Sequence, residues 1–112
     1  MKPSYFNKKG NKIELRITLH AKRRFVERWE KLFPGVPLEE DVEEMIARWF
    51  SHANRIKNFS GKEKNRLQRY GKDTLFFRHS NFTFVVQNAE IVTIEISDRG
   101  MRHLNSSLPF GQ

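Results

Sequence analysis

Three residues of one segment, His20, Arg24 and Arg28, follow one another at intervals of four and therefore share one side of a helix. An imidazole titrates near neutral pH and can take up or release a proton. A guanidinium group binds phosphate oxygens through paired hydrogen bonds. The three residues therefore suit an anionic, phosphate-bearing partner, although a row of basic side chains is also typical of a solvated helix face.

The helix that carries this row is predicted to run from Thr18 to Phe33. Thr18 is a typical N-cap, and Pro34 and Gly35 favour the end of the helix. With about 3.6 residues per turn, the apolar side chains fall on the side away from the basic row. This apolar stripe consists of Phe25, Val26, Trp29, Leu32 and Phe33. We expect one side of the helix to enter the core and the other to face a ligand.

The chain of 112 residues, 38% of them hydrophobic, is long enough for one domain with one core. Without cysteine it has neither a disulfide framework nor a thiolate metal site. The four histidines lack the spacing of metal ligands, so no metal or other cofactor is expected. No segment has the length and apolar character of a membrane span or a signal peptide. We therefore expect a cytoplasmic monomer or homodimer without a membrane partner.

The net charge of +8 is distributed in blocks. Residues 1–36 carry +7, residues 37–54 carry −4, residues 55–72 carry +6 and residues 73–112 carry −1. Two basic blocks around an acidic segment predict a positive surface that binds nucleic acid, and RNA is the expected partner. The candidate nucleic-acid-binding side chains are Lys22, Arg23, Lys31, Arg55, Lys57, Lys62, Lys64, Arg66, Arg69 and Lys72.

The predicted elements place residues 12–99 in a single α+β domain. A flexible basic leader, residues 1–11, precedes the domain, and a tail, residues 100–112, follows it. Alternating side chains predict a strand at 12–18, and the acidic segment at 38–53 has the apolar stripe of a second helix. The domain therefore begins with strand, helix, helix.

The second half of the domain is predicted to be a twisted antiparallel sheet, which gives the order β-α-α-β-β-β-β. Three strong strands, at 74–79, 82–87 and 90–96, are joined by two-residue turns. Two weaker basic strand candidates, 55–59 and 65–70, precede them. The sequence thus predicts a sheet whose strands follow one another in space.

The alternation of the strong strands also predicts which side chains share a face of the sheet. With two-residue turns and regular strands, Thr93 and Glu95 lie beside Phe84 on one face. Ile94 and Ile96 lie with Arg78 on the other face. Both faces are then partly apolar, so helices are expected to cover one face and part of the other.

Four segments, in this order, resemble the barnase–EndoU–colicin–RelE group of small ribonuclease-like folds. They are Ile17-Thr18-Leu19-His20-Ala21-Lys22-Arg23-Arg24, the acidic second helix, residues 65–71 and Ile91-Val92-Thr93-Ile94. Within the group the chain is most similar to small uncharacterised toxin-like domains whose first helix contains His-Ala-x-x-Arg. The resemblance covers about residues 16–97 and implies a RelE-like fold.

The resemblance implies a toxin-like endoribonuclease that cleaves RNA without a metal. A base takes the proton of the 2′-hydroxyl as its oxygen attacks the phosphate, an acid protonates the leaving oxygen, and cations stabilise the phosphorane. His20 is the candidate base or acid, and Tyr70 stacks on a base or assists proton transfer. Arg24, Arg28 and Arg78 are the candidates that hold phosphate oxygens. An acidic antitoxin-like protein is a further expected partner.

Two alternatives remain open. The tail holds Arg102 and His103 but no convincing pair of catalytic residues, which favours a non-catalytic nucleic-acid-binding or regulatory protein of the same fold. A protein-binding inhibitor from a mobile element is the third hypothesis. A need for His20 in turnover separates the first from the second, and tight binding to a protein with little binding to RNA identifies the third.

Overall fold

The computed structural model describes residues 1–58 and 61–106, apart from the side chains of Lys62, Arg66 and Ser106. Within these residues the chain forms seven strands and four helices. The strands are β1 (Ser4–Phe6), β2 (Lys12–Glu14), β3 (Arg16–Ile17), β4 (Asn54–Arg55), β5 (Leu75–His79), β6 (Phe82–Gln87) and β7 (Glu90–Ile96). The helices are α1 (Leu19–Leu32), α2 (Val42–Ser51), α3 (Gly61–Gln68) and α4 (Asp98–Ser106).

Five strands form one mixed sheet in the order β3-β7-β6-β5-β4, and β1 pairs with β2 in a separate hairpin. Within the larger sheet, only the pair of β3 and β7 is parallel in the part of the chain that the structure describes. α1 and α2 pack on one face of the sheet, and α3 packs on the other. The prediction of a single α+β domain is confirmed. The predicted antiparallel sheet in the order β-α-α-β-β-β-β is wrong in two respects, because β3 pairs in parallel with β7 and α3 stands between β4 and β5. None of the helices in the described residues is long and apolar enough to cross a membrane.

The three strongly predicted strands are present as β5, β6 and β7, with two-residue turns between them. In the second turn Asn88 and Ala89 have φ values of 50° and 59°. Positive φ at both residues is typical of a type I′ turn, whose twist matches that of the paired strands. The tight turns hold the three strands in antiparallel register.

One irregularity in β7 changes the predicted faces of the sheet. Val85 lies opposite Thr93, whereas the next residue of β6, Val86, lies opposite Ile91. Val92 is therefore an extra residue, and this β-bulge reverses the alternation of the strand beyond it.

Because of the bulge, Ile94 and Ile96 enter the core beside α1, and Glu95 turns to the face covered by α3. The predicted placement of Thr93 and Glu95 beside Phe84 is therefore wrong, as is that of Ile94 and Ile96 beside Arg78. Regular alternation fails here since a bulge adds a residue without adding a cross-strand pair.

The core lies between the sheet and the pair α1 and α2, as the apolar stripes predict. Phe25 and Trp29 of α1 are buried, and the indole N–H of Trp29 donates to the Val36 carbonyl at 2.8 Å. Trp49 of α2 is partly buried and meets Trp29 edge to face, with ring centres 5.8 Å apart. These aromatic contacts fix the position of α1 on the sheet.

The segment between α2 and β5 differs from its prediction. Of the predicted strand at 55–59, only Arg55 is in a strand, and residue 59 lies outside the described residues. The predicted strand at 65–70 is instead the end of α3 and the turn after it. Glu63 and Leu67, one helical turn apart, are both buried against the sheet, and this pair explains why the segment is helical.

Both ends of the domain also carry regular structure that was not predicted. In the supposed flexible leader, β1 pairs with β2 and Tyr5 packs against Phe77 with ring centres 5.3 Å apart. In the supposed tail, residues 98–106 form α4, and Leu104 packs against the core. Residues 107–112 lie outside the described residues.

Candidate functional site

The His-Ala-x-x-Arg segment begins α1 and has a structural role at two positions. Thr18 Oγ1 accepts the backbone N–H of Ala21 at 3.0 Å and donates to the Ile91 carbonyl of β7 at 3.1 Å. Ala21 is fully buried, which allows α1 to approach the sheet closely. His20 is exposed on the first turn and Arg24 is partly exposed on the next, so these two side chains are the ones available for a ligand.

The outward-facing cations of α1 form ion pairs with nearby carboxylates. Arg24 Nη1 lies 2.7 Å from Glu27 Oε2, and Arg24 Nε donates to His20 Nε2 at 3.4 Å. Lys22 pairs with Glu43 of α2 at 3.5 Å. We call His20, Lys22 and Arg24 the α1 ridge. Both cations of the ridge are therefore paired with a carboxylate, and His20 Nε2 accepts a hydrogen bond.

Arg28 continues the row of His20 and Arg24 but turns towards the edge of the sheet. Its Nη2 lies 3.4 Å from Glu95 Oε1, and the Tyr70 hydroxyl donates to the same oxygen at 3.3 Å. The Arg28 and Glu95 side chains are 22% and 12% exposed. One mostly buried carboxylate therefore joins α1, β7 and the turn after α3.

A second charged pair lies on the same face of the sheet. Arg78 Nη2 lies 2.6 Å from Glu63 Oε1, and the Glu63 side chain is 0% exposed. Its other oxygen, Oε2, accepts the backbone N–H of Asp98 at 3.2 Å. A buried carboxylate needs such partners, because an unpaired buried charge is strongly destabilising. Glu63 therefore connects α3, β5 and the start of α4.

Arg78, Thr83 and Glu95 are direct cross-strand neighbours on β5, β6 and β7, and we call them the polar row. Three buried polar atoms at or beside this row have no hydrogen-bond partner among the described residues. They are Nε of Arg28, Nε of Arg78 and Oγ1 of Thr83. Because buried polar atoms are nearly always paired, these three atoms are hydrogen-bonding groups at the row that the described residues leave unused.

Tyr70 is held in its protonated form beside Glu95. Burial raises the pKa of Tyr70, and the charge of Glu95 and the hydrogen bond to it raise the pKa further. The backbone carbonyl of Tyr70 accepts from Thr74 Oγ1 at 2.6 Å and from Gln87 Nε2 at 2.8 Å, which fixes the residue. A protonated phenol beside a carboxylate can donate one proton while the carboxylate accepts another.

A cavity of about 520 Å³ lies at the β4 edge of the sheet, and we call it the basic cavity. Among the described residues, four cations line it and no acidic side chain does. Within the described residues, none of these cations has an ion-pair partner. The cations are Lys8, Arg55, Lys57 and Lys72, and the apolar lining includes Ile56, Leu67, Leu75 and Phe76.

A second hollow, of about 430 Å³, extends from the basic cavity to the polar row. It shares Arg55, Ile56 and Lys57 with the basic cavity, and Arg78 also lines it. A polyanion in the basic cavity can therefore reach Arg78 along a surface lined with cations.

The structure divides the predicted catalytic residues into two groups. Arg28, Tyr70 and Arg78 lie at or beside the polar row, whereas His20 and Arg24 lie on the α1 ridge. Eight residues separate His20 from Arg28, which corresponds to about 12 Å along a helix axis. Arg28 contacts Glu95 of β7 whereas His20 contacts Arg24, so the two side chains have different surroundings.

The predicted nucleic-acid-binding residues are similarly divided. Arg55, Lys57 and Lys72 meet in the basic cavity, whereas Lys22 is paired on the α1 ridge. The side chains of Lys62 and Arg66 lie outside the described residues. Exposed elsewhere on the surface are Arg23, Lys31, Lys64 and Arg69.

Sequence reasoning misses four contributors to the site: Lys8, Glu63, Thr83 and Glu95. Glu63 has a usable signal, since it is the only acidic residue in the basic block 55–72. Glu95 is misplaced because the bulge in β7 is not visible in the alternation. Lys8 belongs to a supposed leader, and nothing in the sequence distinguishes Thr83.

Among the described residues, no group of three or more His, Asp or Glu side chains is arranged to hold a metal ion. Comparisons of the chain with protein-family models, with curated proteins and with solved structures yield no match. The functional interpretation therefore depends on the geometry of the polar row and the basic cavity.

Proposed function

We propose that this protein is a RelE-like, toxin-like endoribonuclease that binds single-stranded RNA in the basic cavity and cleaves it at the polar row. One observation carries the proposal: Arg78 of the polar row lines a hollow that continues into the basic cavity, whose four cations have no ion-pair partner within the described residues. RNA phosphates supply the negative charge that these groups lack, and their neutralisation contributes much of the binding free energy. The partly exposed lining at Ile56 and Leu75 suits apolar contact with a base.

In the proposed reaction, Glu95 accepts the proton of the 2′-hydroxyl as the 2′-oxygen attacks the adjacent phosphorus. The bond between phosphorus and the 5′-oxygen breaks, and Tyr70 donates its phenolic proton to that oxygen. The products are a 2′,3′-cyclic phosphate and a 5′-hydroxyl. Glu95 then returns its proton to Tyr70, to which it is directly hydrogen-bonded at 3.3 Å, so both groups are restored.

Arg28 and Arg78 stabilise the negative charge that develops on the phosphorane. Each arginine binds its carboxylate partner through Nη2, and its side chain is 22% exposed in Arg28 and 39% in Arg78, so the rest of the guanidinium group can contact a phosphate oxygen. Donors fixed in a mostly buried site favour the transition state, because they need no reorganisation as the charge develops. His20, on the exposed α1 ridge, contacts RNA away from the cleaved bond in this proposal.

Two features support the RelE-like part of the proposal. β3, α1 and α2 precede the antiparallel strands β5, β6 and β7, which is the order that the resemblance implies. The unpaired cations of the basic cavity also suit an acidic antitoxin-like protein, whose carboxylates would compete with RNA for the same side chains.

The test is cleavage of an unstructured, end-labelled RNA by the purified protein in the presence of EDTA. We expect products with 2′,3′-cyclic phosphate ends. Tyr70→Phe should lower the rate by about 10² to 10⁴ while RNA affinity is retained, since it removes the acid but no cation. Tyr5→Phe deletes the same atom from a tyrosine that packs against Phe77, and should leave the rate unchanged.

A non-catalytic RNA-binding or regulatory protein is the second candidate, and one observation favours it. Both arginines at the row are already neutralised, Arg28 by Glu95 and Arg78 by Glu63. In such a protein the two carboxylates only hold the fold together. Salt-dependent RNA binding without cleavage, between roughly pH 6 and 10 where histidine and tyrosine titrate, would identify this function and exclude the ribonuclease.

A further inference from the structure

The end of the sheet next to α4 carries a second group of cations that the proposed reaction does not use. Arg99, Arg102 and His103 line a cavity of about 670 Å³, together with the turn Ser80-Asn81. None of its lining residues is acidic. Within the described residues, neither arginine has a carboxylate partner. We call this cavity the α4 pocket.

The α4 pocket is built into the fold. A Cβ on Gly100 would stand 2.5 Å from the Asn81 carbonyl oxygen and 2.6 Å from Ile96 Cγ2, so only glycine allows α4 to lie this close to the turn. Ser97 Oγ donates to the Ser80 carbonyl at 2.8 Å and accepts the Gly100 N–H at 3.1 Å. These contacts hold the first turn of α4, and with it Arg99 and Arg102, against the turn between β5 and β6.

The α4 pocket adjoins the polar row. Arg78 precedes Ser80 by two residues at the end of β5, which corresponds to about 7 Å along an extended strand. Glu63, the partner of Arg78, also accepts the backbone N–H of Asp98 at the start of α4. The basic cavity at the start of β5, Arg78 near its end and the α4 pocket at the turn that follows are therefore successive cationic positions along β5.

We infer that the α4 pocket is a second phosphate-binding site, which holds a phosphodiester of the same RNA strand away from the cleaved bond. Arg99 and Arg102 are three residues apart on α4, so their guanidinium groups lie on one side of the helix and can share one phosphate. His103, whose ring centre is 5.6 Å from that of Phe33, offers a ring beside them for contact with a base. The inference rests on the proposed function, because RNA is the strand that connects the sites.

The test compares two fluorescent 2′-O-methyl oligouridylates, which lack the attacking hydroxyl and stay intact. One is about four nucleotides long, enough for part of the path, and the other is about twelve, because single-strand site sizes are about 4 to 16 nucleotides. Arg99→Gln with Arg102→Gln should lower affinity for the long oligonucleotide about tenfold, and for the short one less than about twofold. The salt slope for the long one should decrease by about 0.7, from the loss of one neutralised phosphate.

The matched control is Lys2→Gln with Arg16→Gln, which removes the same formal charge from a hollow beside β3, at the opposite edge of the sheet. It should change affinity for the long oligonucleotide less than about twofold, because these cations lie away from the path. The variant Arg99→Lys with Arg102→Lys keeps both charges and should recover most of the salt slope. That recovery would show that the loss of affinity in the glutamine variant comes from the missing charge and not from a folding defect.

Equal losses for both oligonucleotides, or equal losses in the α4 variant and its control, would overturn the α4 pocket as a site. If the parent protein binds and cleaves RNA while the α4 variant keeps the parental affinity and slope, the inference alone fails. If the parent protein binds neither oligonucleotide, the proposed function fails together with it.

Discussion

The α1 ridge and the basic cavity both carry cations, but they differ in how much of that charge is available. Both ridge cations are paired, Lys22 with Glu43 and Arg24 with Glu27. The four cations of the basic cavity have no ion-pair partner within the described part of the chain. The position of unpaired charge therefore locates the expected anion-binding surface better than the density of basic residues in the sequence does.

The difference has a local cause. On a helix, an acidic residue three or four positions away lies beside a cation, as Glu27 lies beside Arg24. The short edge strand β4 has no such periodic neighbour, and the cations of the basic cavity come from distant parts of the chain. Their mutual repulsion is a cost that a bound polyanion would relieve.

The largest expected effect contrasts the two sides of α1. Trp29→Ala should lower the free energy of unfolding by about 3 to 5 kcal/mol, because it leaves a cavity where a buried indole packed. Arg24→Ala, on the ridge, should lower it by less than about 1 kcal/mol, since surface ion pairs contribute little. Urea unfolding of both variants measures these values, and similar losses would mean that α1 does not pack as described.

The second prediction concerns RNA affinity and compares the cavity with the ridge directly. Lys57→Gln with Lys72→Gln should weaken binding about tenfold and decrease the salt slope by about 1.4, because two unpaired cations are lost. Lys22→Gln with Arg24→Gln removes the same charge but should weaken binding less than about threefold, since these cations are already paired. Fluorescence anisotropy at several salt concentrations measures both pairs. A larger loss for the ridge pair would reverse the comparison.

A third, smaller effect is expected in α3. Charge reversal at Lys62 and Lys64 should weaken RNA binding by about two- to threefold, because each reversal adds repulsion towards a polyanion. The difference in affinity from the parent protein should shrink as salt rises, because salt screens the added repulsion between the reversed charges and RNA. A loss as large as that of the cavity pair would extend the binding surface onto α3.

The smallest predicted effect is the pH dependence of stability at His79, beside the α4 pocket. Burial lowers the pKa of His79, and the neighbouring His52 and Arg99 lower it further. The unfolded chain then binds a proton more readily, so the stabilisation is complete above the ordinary pKa of about 6.5 and is lost as the pH falls through the lowered folded-state value. His79→Gln should reduce the loss of Tm between neutral and acidic pH. An identical loss in parent and variant would contradict this assignment.

The sequence predicts the helices and strands whose pattern of apolar and polar residues lies within one short segment of the chain. The stripe that contains Phe25 and Trp29 identifies α1, and alternation with tight turns identifies β5, β6 and β7. The same local pattern finds Arg28 and Arg78 as candidate site residues. It does not reveal that each is paired with a carboxylate of another element.

The rest depends on interactions between distant residues. The bulge at Val92 moves Glu95 to the face of the polar row, and two-residue periodicity contains no signal for it. The helical conformation of α3 is explained by burial of Glu63 and Leu67 against the sheet and not by intrinsic helix propensity. α4 requires the absence of a side chain at Gly100, which matters only once the turn at Asn81 is in place.

The most direct test of the polar row as the reactive site is single-turnover cleavage of RNA by Glu95→Gln and by His20→Ala. We predict that Glu95→Gln lowers the rate by about 10² to 10⁴ with RNA affinity retained. His20→Ala, on the exposed α1 ridge, should change the rate by less than about threefold, since its imidazole adds at most one partial charge to RNA binding. Loss of cleavage in His20→Ala, with Glu95→Gln as active as the parent protein, would place the chemistry on the α1 ridge and contradict the polar row as the reactive site.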